Sequence, residues 1–256
     1  MFSFFYVLIV AIAELIMLIT GLIVLFFTFL FDKNRRIIHY HSIVWGLMHY
    51  WISPCWKISY EGGEYVKKNK KYIIICNHQS MLDICLLYKI PKLFKWVSKR
   101  EALKIPIVGW ALWLHNDVLV NRGDSTSVKK MIRDCQTYLQ RNVSIIMFPE
   151  GTRTKDGQIH PFKEGAFMLA KITKTAILPV VIDGTYDVMP QKGFRLKAKH
   201  LFKLKVLPEV NEEEVAQKSV KELTQQLYEN MRTVHKTIAP ERYTDESKLK
   251  KNISFE

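Results

Sequence analysis

The stretch Asn77-His78-Gln79-Ser80-Met81-Leu82-Asp83 holds the residues best suited to moving a proton. A histidine five positions before an aspartate, folded across a turn, suits a general base. The carboxylate would fix the tautomer and stabilise the imidazolium. The same residues also suit helix capping, with Asn77 as N-cap and Ser80-x-x-Asp83 as a loose capping box. Both readings stand on this stretch alone. The flanking elements decide how it is presented. Tyr72-Ile73-Ile74-Ile75-Cys76 is a short, β-branched apolar run that reads as a buried strand. Met81, Leu82, Ile84, Cys85, Leu86 and Leu87 read as a mostly buried helix, so the polar cluster sits at a strand-to-helix turn. Cys76, two residues before His78, is open to two readings, a nucleophile or a buried core thiol. No Gly-x-Ser-x-Gly elbow occurs, which argues against a serine nucleophile.

A second polar stretch, Phe148-Pro149-Glu150-Gly151-Thr152-Arg153, follows another apolar run, Val143 to Met147. The ordered pair Asn-His-Gln-Ser-x-x-Asp and Phe-Pro-Glu-Gly-Thr-Arg resembles the glycerolipid acyltransferases, specifically the 1-acylglycerol-3-phosphate acyltransferases. Val118-Leu119-Val120-Asn121-Arg122 between them and Ile177 to Ile182 after them agree in order, so the resemblance runs from about Tyr72 to Tyr186. It implies transfer of a fatty acyl group from an acyl thioester to the sn-2 hydroxyl of lysophosphatidic acid, giving phosphatidic acid. Another lysophospholipid or an amino-lipid acceptor fits the same motifs. His78 would take the hydroxyl proton and Asp83 would orient it. Arg122 and Arg153 would hold the acceptor phosphate, since guanidinium groups offer bidentate, permanently charged donors. Gly151 would let the backbone approach the acceptor beside Thr152, and Glu150 would bond the glycerol or brace Arg153. A salt bridge from Arg153 to Glu150 or Asp156 is the competing reading. Asn121 stands before Arg122 where relatives vary. No cofactor or metal is expected; the co-substrate would be acyl-CoA or acyl-carrier protein loaded with the acyl chain.

Bulk properties agree with an anionic partner. The 256-residue chain carries 38 Lys and Arg against 24 Asp and Glu, a net +14. Anionic membrane lipids and nucleic acid both fit that charge. RNP aromatics, zinc-finger spacing and a basic heptad region are all missing, so no nucleic acid is expected. The rival of a different class is a membrane-held basic binding module without catalysis. Cysteines 55, 76, 85 and 135 lie in apolar surroundings without paired spacing, as reduced core thiols would.

Residues 2–31 are apolar apart from Glu14 and a few small polar residues. The uncharged part, Leu15 to Phe31, falls just short of the roughly 20 residues a spanning helix needs; counted through Glu14 the run is ample. A basic n-region and a cleavage site are both missing, so a cleaved signal peptide is a poor fit. Lys33, Arg35 and Arg36 follow, which puts the catalytic domain on the cytoplasmic face of the membrane. A single span and a dip into the bilayer both remain open. Residues 42–58, rich in Trp and Tyr, read as an interfacial segment. His39, His41 and His49 lack a completing ligand and read as interfacial histidines rather than a metal cluster.

The expected fold class is α/β, a mixed central sheet flanked by helices with an N-terminal membrane-embedded helical segment. The expected divisions are 1–58 (anchor and interfacial helix), 59–240 (α/β domain) and 241–256 (charged, disordered tail). Strands are expected near 92–97, 117–121, 143–148 and 176–182, with a half-buried strand or hairpin over 195–206 that has one basic face. Ser98 to Glu101 and Ile105 to Trp110 read as an irregular, basic and partly apolar stretch, either folded against the membrane beside the site or a surface loop. Helices are expected after a Ser125 or Thr126 cap and over Gly165 to Ile172. A last helix, capped by Asn211, carries the stripe Val220, Leu223, Leu227, Met231 and Val234 as far as Pro240. His78, Arg122 and Glu150 to Arg153 all fall just after strands, where such sheets bind ligands.

Overall fold

The computed structural model describes residues 2–53, 55–121, 123–189 and 199–244. Helices α1 (Phe2–Thr28) and α2 (Arg36–Trp51) lead into β1 (Trp56–Glu61), β2 (Ile73–Cys76), α3 (Leu82–Leu87) and β3 (Phe94–Lys99). Then come α4 (Val108–His115), β4 (Val118–Val120), α5 (Ser125–Gln140), β5 (Ser144–Met147), α6 (Gly165–Thr173) and β6 (Ile177–Asp183). Helix α7 (Thr185–Val188), β7 (His200–Val206), α8 (Glu212–Gln217), α9 (Val220–Ile238) and a 3-10 turn, Pro240–Tyr243, complete the described chain.

The strands form one sheet in the order β1-β7-β6-β2-β5-β3-β4. Among the pairings of the described strands only β6–β7 is antiparallel, so the sheet is mixed. Strand β2 lies between β6 and β5, with Ile73 opposite Ile177 and Ile145. All four of its residues are buried, because helices cover both faces of a parallel sheet and each face demands apolar side chains. On one side Leu82, Leu86, Phe94 and Trp96 pack with Tyr50 of α2. On the other, Met131 and Cys135 of α5, Phe167 of α6 and Leu223, Leu227 and Met231 of α9 close the core.

Helix α1 is long and apolar enough over Tyr6–Thr28 to cross a membrane. Its buried and half-buried positions nevertheless recur at helical spacing: Tyr6, Val10, Ala13, Glu14, Met17, Leu18, Gly21, Val24, Leu25 and Thr28. That stripe faces α2 and α4. Glu14 lies on it, accepting from Trp45 Nε1 at 2.9 Å and lying 2.8 Å from His49 Nε2. At the far end a side chain on Gly21 would meet Leu114 of α4 at 3.1 Å. The three N-terminal histidines are engaged separately: His39 with His115 and the Lys92 carbonyl, His41 with Thr20, His49 with Glu14.

Several expectations need correction. Strand β3 starts two residues later than the apolar pattern suggested, and Asp124, not Ser125 or Thr126, caps α5 by accepting from Thr126 N–H. The last helix is two. Asn211 caps α8, and Ser219 then starts α9 with a full capping box to Glu222. Residues 241–243 are not a disordered tail, because Arg242 bonds Asp183 and Asp187 while Tyr243 is buried. Cys55 is exposed, whereas Cys76, Cys85 and Cys135 are buried. Residues 190–198, which include the first part of the expected 195–206 strand, and 245–256 lie outside the described residues.

Candidate functional site

Strand β2 ends at Cys76, and the chain leaves the sheet at Asn77. The Asn77 side chain takes over the ladder there, donating to Ile182 O at 3.0 Å and accepting from Ile182 N–H at 2.9 Å. Asn77 is therefore a strand-end brace for the turn and does not cap α3, whose N-cap position is Met81 with no side-chain cap bond. Ser80 and Asp83 form half of the expected box: Asp83 Oδ2 accepts from Ser80 N–H at 2.8 Å, while Ser80 Oγ accepts from Leu82 N–H at 3.2 Å and donates to Met189 O.

His78 Nδ1 lies 2.8 Å from Asp83 Oδ2, which also accepts from Gln79 N–H at 2.6 Å. An ionised carboxylate only accepts, so Nδ1 carries the proton and Nε2 keeps its lone pair. Asp83 is fully buried; the His78 side chain retains 14% exposure. The imidazole stacks on Phe148 with centroids 3.8 Å apart and planes 9° apart, so its plane is held by a ring as well as by a carboxylate. Among the described residues Nε2 has no hydrogen-bond partner.

The Glu150-to-Arg153 turn meets this histidine through backbone groups. Thr154 N–H donates to His78 O at 2.8 Å. Glu150, buried after β5, accepts from His78 N–H at 2.8 Å and from His160 N–H at 3.1 Å. Both carboxylate oxygens are thus taken by backbone amides. Gly151 has φ +73, a left-handed conformation that glycine adopts without cost. Arg153 is half-buried and pairs with neither Glu150 nor Asp156; Asp156 instead bonds Thr154 Oγ1 and His160 Nε2. The salt-bridge alternative for Arg153 therefore falls. Arg122, two residues past β4, lies outside the described residues.

His78, Gly151, Thr152 and Arg153 line a cavity of about 610 Å³. Much of the remaining wall is apolar, including Val7, Val10 and Ala11 of α1, Leu82 and Ile84 of α3, and Val108 and Leu112 of α4. Lys99, at the end of β3, also lines it; the sequence placed its stretch beside the site but gave the lysine itself no role. Its signal was the one that marked His78, a polar residue at the end of a strand. Cys76 is unsuited to nucleophilic chemistry, because burial and the nearby Asp83 and Glu150 carboxylates push its thiol well up.

Burial pushes the Glu150 carboxyl up to about 8, although the two backbone amides pull it down. The folded chain then keeps a proton that the unfolded chain loses at the ordinary value of 4.5. Stability must fall as pH rises between those values, by at most about 1.4 kcal/mol per unit. Glu150→Gln should flatten that slope. It should also cost about 1–3 kcal/mol at low pH, since the new NH2 group faces one of the two backbone donors. Denaturation of both forms between about pH 5 and 8 checks this; parallel slopes would mean that Glu150 is ionised throughout.

The comparisons with known proteins follow the same lines. The sequence profile of the Acyltransferase family matches residues 57–183. A 1-acyl-sn-glycerol-3-phosphate acyltransferase of the Arabidopsis thaliana chloroplast is 38% identical over 166 residues, 64% of this chain and 46% of that one. Residues 57–183 form a domain of the acyltransferase family. The alpha form of 1-acyl-sn-glycerol-3-phosphate acyltransferase from Mus musculus is 30% identical over 187 residues, 72% of this chain and 65% of that protein. The crystal structure of the 1-acyl-sn-glycerophosphate acyltransferase from Thermotoga maritima superposes with a TM-score of 0.67 at 27% identity. It covers 90% of this chain and 98% of that one. The chain spans about half the length of the curated chloroplast relatives it matches.

Proposed function

We propose that the chain transfers a fatty acyl group from an acyl thioester to the sn-2 hydroxyl of lysophosphatidic acid, giving phosphatidic acid. The observation that carries this reading is the pairing of His78 with buried Asp83, its Nε2 without a partner among the described residues, beside a largely apolar cavity of about 610 Å³. An apolar cavity of that size suits a fatty acyl chain. The named activities of the relatives point the same way.

In this reading His78 Nε2 removes the hydroxyl proton as the acceptor oxygen attacks the thioester carbonyl carbon. The tetrahedral intermediate collapses with cleavage of the carbon–sulfur bond, and the imidazolium proton passes to the departing thiolate. The ester and a free thiol result, with no group left on the enzyme. Arg153 binds the acceptor phosphate, and Lys99 and Gly151 face the same cavity. Arg122 is given the same task as Arg153 on the family resemblance. Glu150 braces the turn instead of touching the acceptor, since its oxygens already hold two amides. The donor is an acyl thioester of coenzyme A or of acyl-carrier protein; the phosphates of the first and the acidity of the second both suit a +14 chain.

Residues 1–58 serve as the anchor of the catalytic α/β unit. Helix α1 contacts that unit along its stripe, so an upright crossing would pull the unit into the bilayer. Its other faces expose Val7, Ile12, Ile16, Ile23 and Phe27, and α4 exposes Trp110 and Trp113 near it. This geometry favours a helix lying in one leaflet, with the aromatic residues at the headgroup level and basic Lys33, Arg35 and Arg36 on the cytoplasmic face with anionic lipid.

The test presents labelled acyl donors with lysophosphatidic acid, lysophosphatidylcholine and 1-acylglycerol in vesicles that the full chain must first bind. Phosphatidic acid should be the main product. Transfer only to a different acceptor would replace the substrate and keep the chemistry; no vesicle binding and no transfer would end the proposal. Arg153→Ala should raise KM for lysophosphatidic acid about 10- to 100-fold, the worth of a charge-assisted contact, and leave 1-acylglycerol nearly unaffected. Equal loss on both acceptors would remove the phosphate from Arg153.

A further inference from the structure

The Asp83 carboxylate is held unevenly. Oδ2 accepts three donors: His78 Nδ1–H, Gln79 N–H and Ser80 N–H. Oδ1 has one among the described residues, the Thr185 hydroxyl at 2.5 Å. Asp83 and Thr185 are both fully buried. Thr185 lies past the residues that the family profile matches, at the start of α7.

We propose that Thr185 is a positioning residue for acyl transfer, fixing the rotation of the Asp83 carboxylate and through it the ring of His78. This rests on the function proposed above. Three donors crowd Oδ2. Were Oδ1 left bare, the carboxylate would turn to share the backbone amides between its two oxygens. That turn would carry Oδ2 away from Nδ1, and a ring misplaced by an ångström loses most of its advantage as a base.

The site of the hydroxyl is itself built. Gly184, with φ +100, turns the chain at the end of β6; a side chain there would come within 2.7 Å of Leu201 O. His200 Nε2, from β7, donates to the Gly184 carbonyl at 2.7 Å. Gln79 Oε1 is also near the Thr185 hydroxyl, at 3.3 Å. Gln79 is braced independently, donating to Gly157 O at 2.9 Å and Asp183 Oδ1 at 3.1 Å. The single hydroxyl hydrogen is therefore committed to the shorter contact, with Asp83.

The experiment compares the full chain with Thr185→Val and Thr185→Ser in detergent, by steady-state kinetics and by proton NMR of histidine-labelled protein. Thr185→Val should lower kcat about tenfold with KM for both substrates within about twofold, as expected for a group that acts through another. Thr185→Ser, which keeps the hydroxyl, should recover most of kcat. The downfield resonance of the His78 Nδ1 proton should shift in the valine form and return in the serine form. An unmoved resonance with unchanged kcat overturns the proposal, as does a loss that serine does not restore. Should the valine form not fold, Thr185→Ala is read in its place by the same criteria. The resonance is independent of turnover, so wild-type protein inactive on every acceptor would sink the proposed function while the NMR arm still judged Thr185.

Discussion

His78→Ala should lower kcat for acyl transfer by about 1,000- to 10,000-fold and leave the fold intact. General-base catalysis by a positioned side chain is worth roughly that much. The fold should survive because Asp83 keeps Gln79 N–H, Ser80 N–H and the Thr185 hydroxyl as donors when the imidazole is gone. The backbone N–H and C=O of residue 78, which tie the turn to Glu150 and Thr154, are unaffected by the side chain. The main structural loss is the ring stacked on Phe148, on a wall that already faces a cavity. Initial rates with lysophosphatidic acid, alongside circular dichroism of both proteins, make the measurement. Wild-type rates from the alanine form would remove His78 from the chemistry. An unfolded alanine form would instead assign the ring a structural part.

The strand-to-helix turn was legible because its signals are local. A β-branched apolar run too short for a helix fits a strand buried on both faces, and a polar cluster directly after it then stands at the sheet's end. The second turn was legible for the same reason, and both meet at one cavity. What stayed hidden depends on partners distant in sequence. Lys95 sits in a strand where a lysine reads as solvent-facing, yet it is fully buried, donating to the His115 carbonyl with the Tyr138 ring 5.5 Å away. Asn77 reads as a helix cap because that is its commonest local use; its bonds to Ile182 exist only once β6 lies beside β2. Arg242 and Tyr243 looked like tail, because their partners Asp183, Asp187 and His235 are brought to them by tertiary folding alone. The split between α8 and α9 was different, since Ser219-x-x-Glu222 is a readable capping box that the long apolar stripe obscured.

Asp83→Asn should lower kcat about 100- to 10,000-fold with little change in KM or stability, and it separates the two readings that the motif left open. The substitution is nearly isosteric. Its carbonyl oxygen can take the place of Oδ2 and accept from His78, Gln79 and Ser80, while its NH2 group points to Thr185, whose hydroxyl can rotate toward Gln79 Oε1 at 3.3 Å. Every capping bond that Asp83 makes to the turn is therefore retained. What disappears is the negative charge that stabilises the imidazolium formed as the acceptor proton leaves, a loss felt only in the transition state. KM should hold because Asp83 is fully buried and not among the cavity-lining residues. Asp83→Ala makes the contrast: it strands two buried amides and should cost about 1–3 kcal/mol of stability for each. If Asp83 were only a helix-end acceptor, the asparagine form would work as well as wild type and the alanine form would fail through unfolding. A stable, well-binding asparagine form with its turnover lost requires the carboxylate to act through His78.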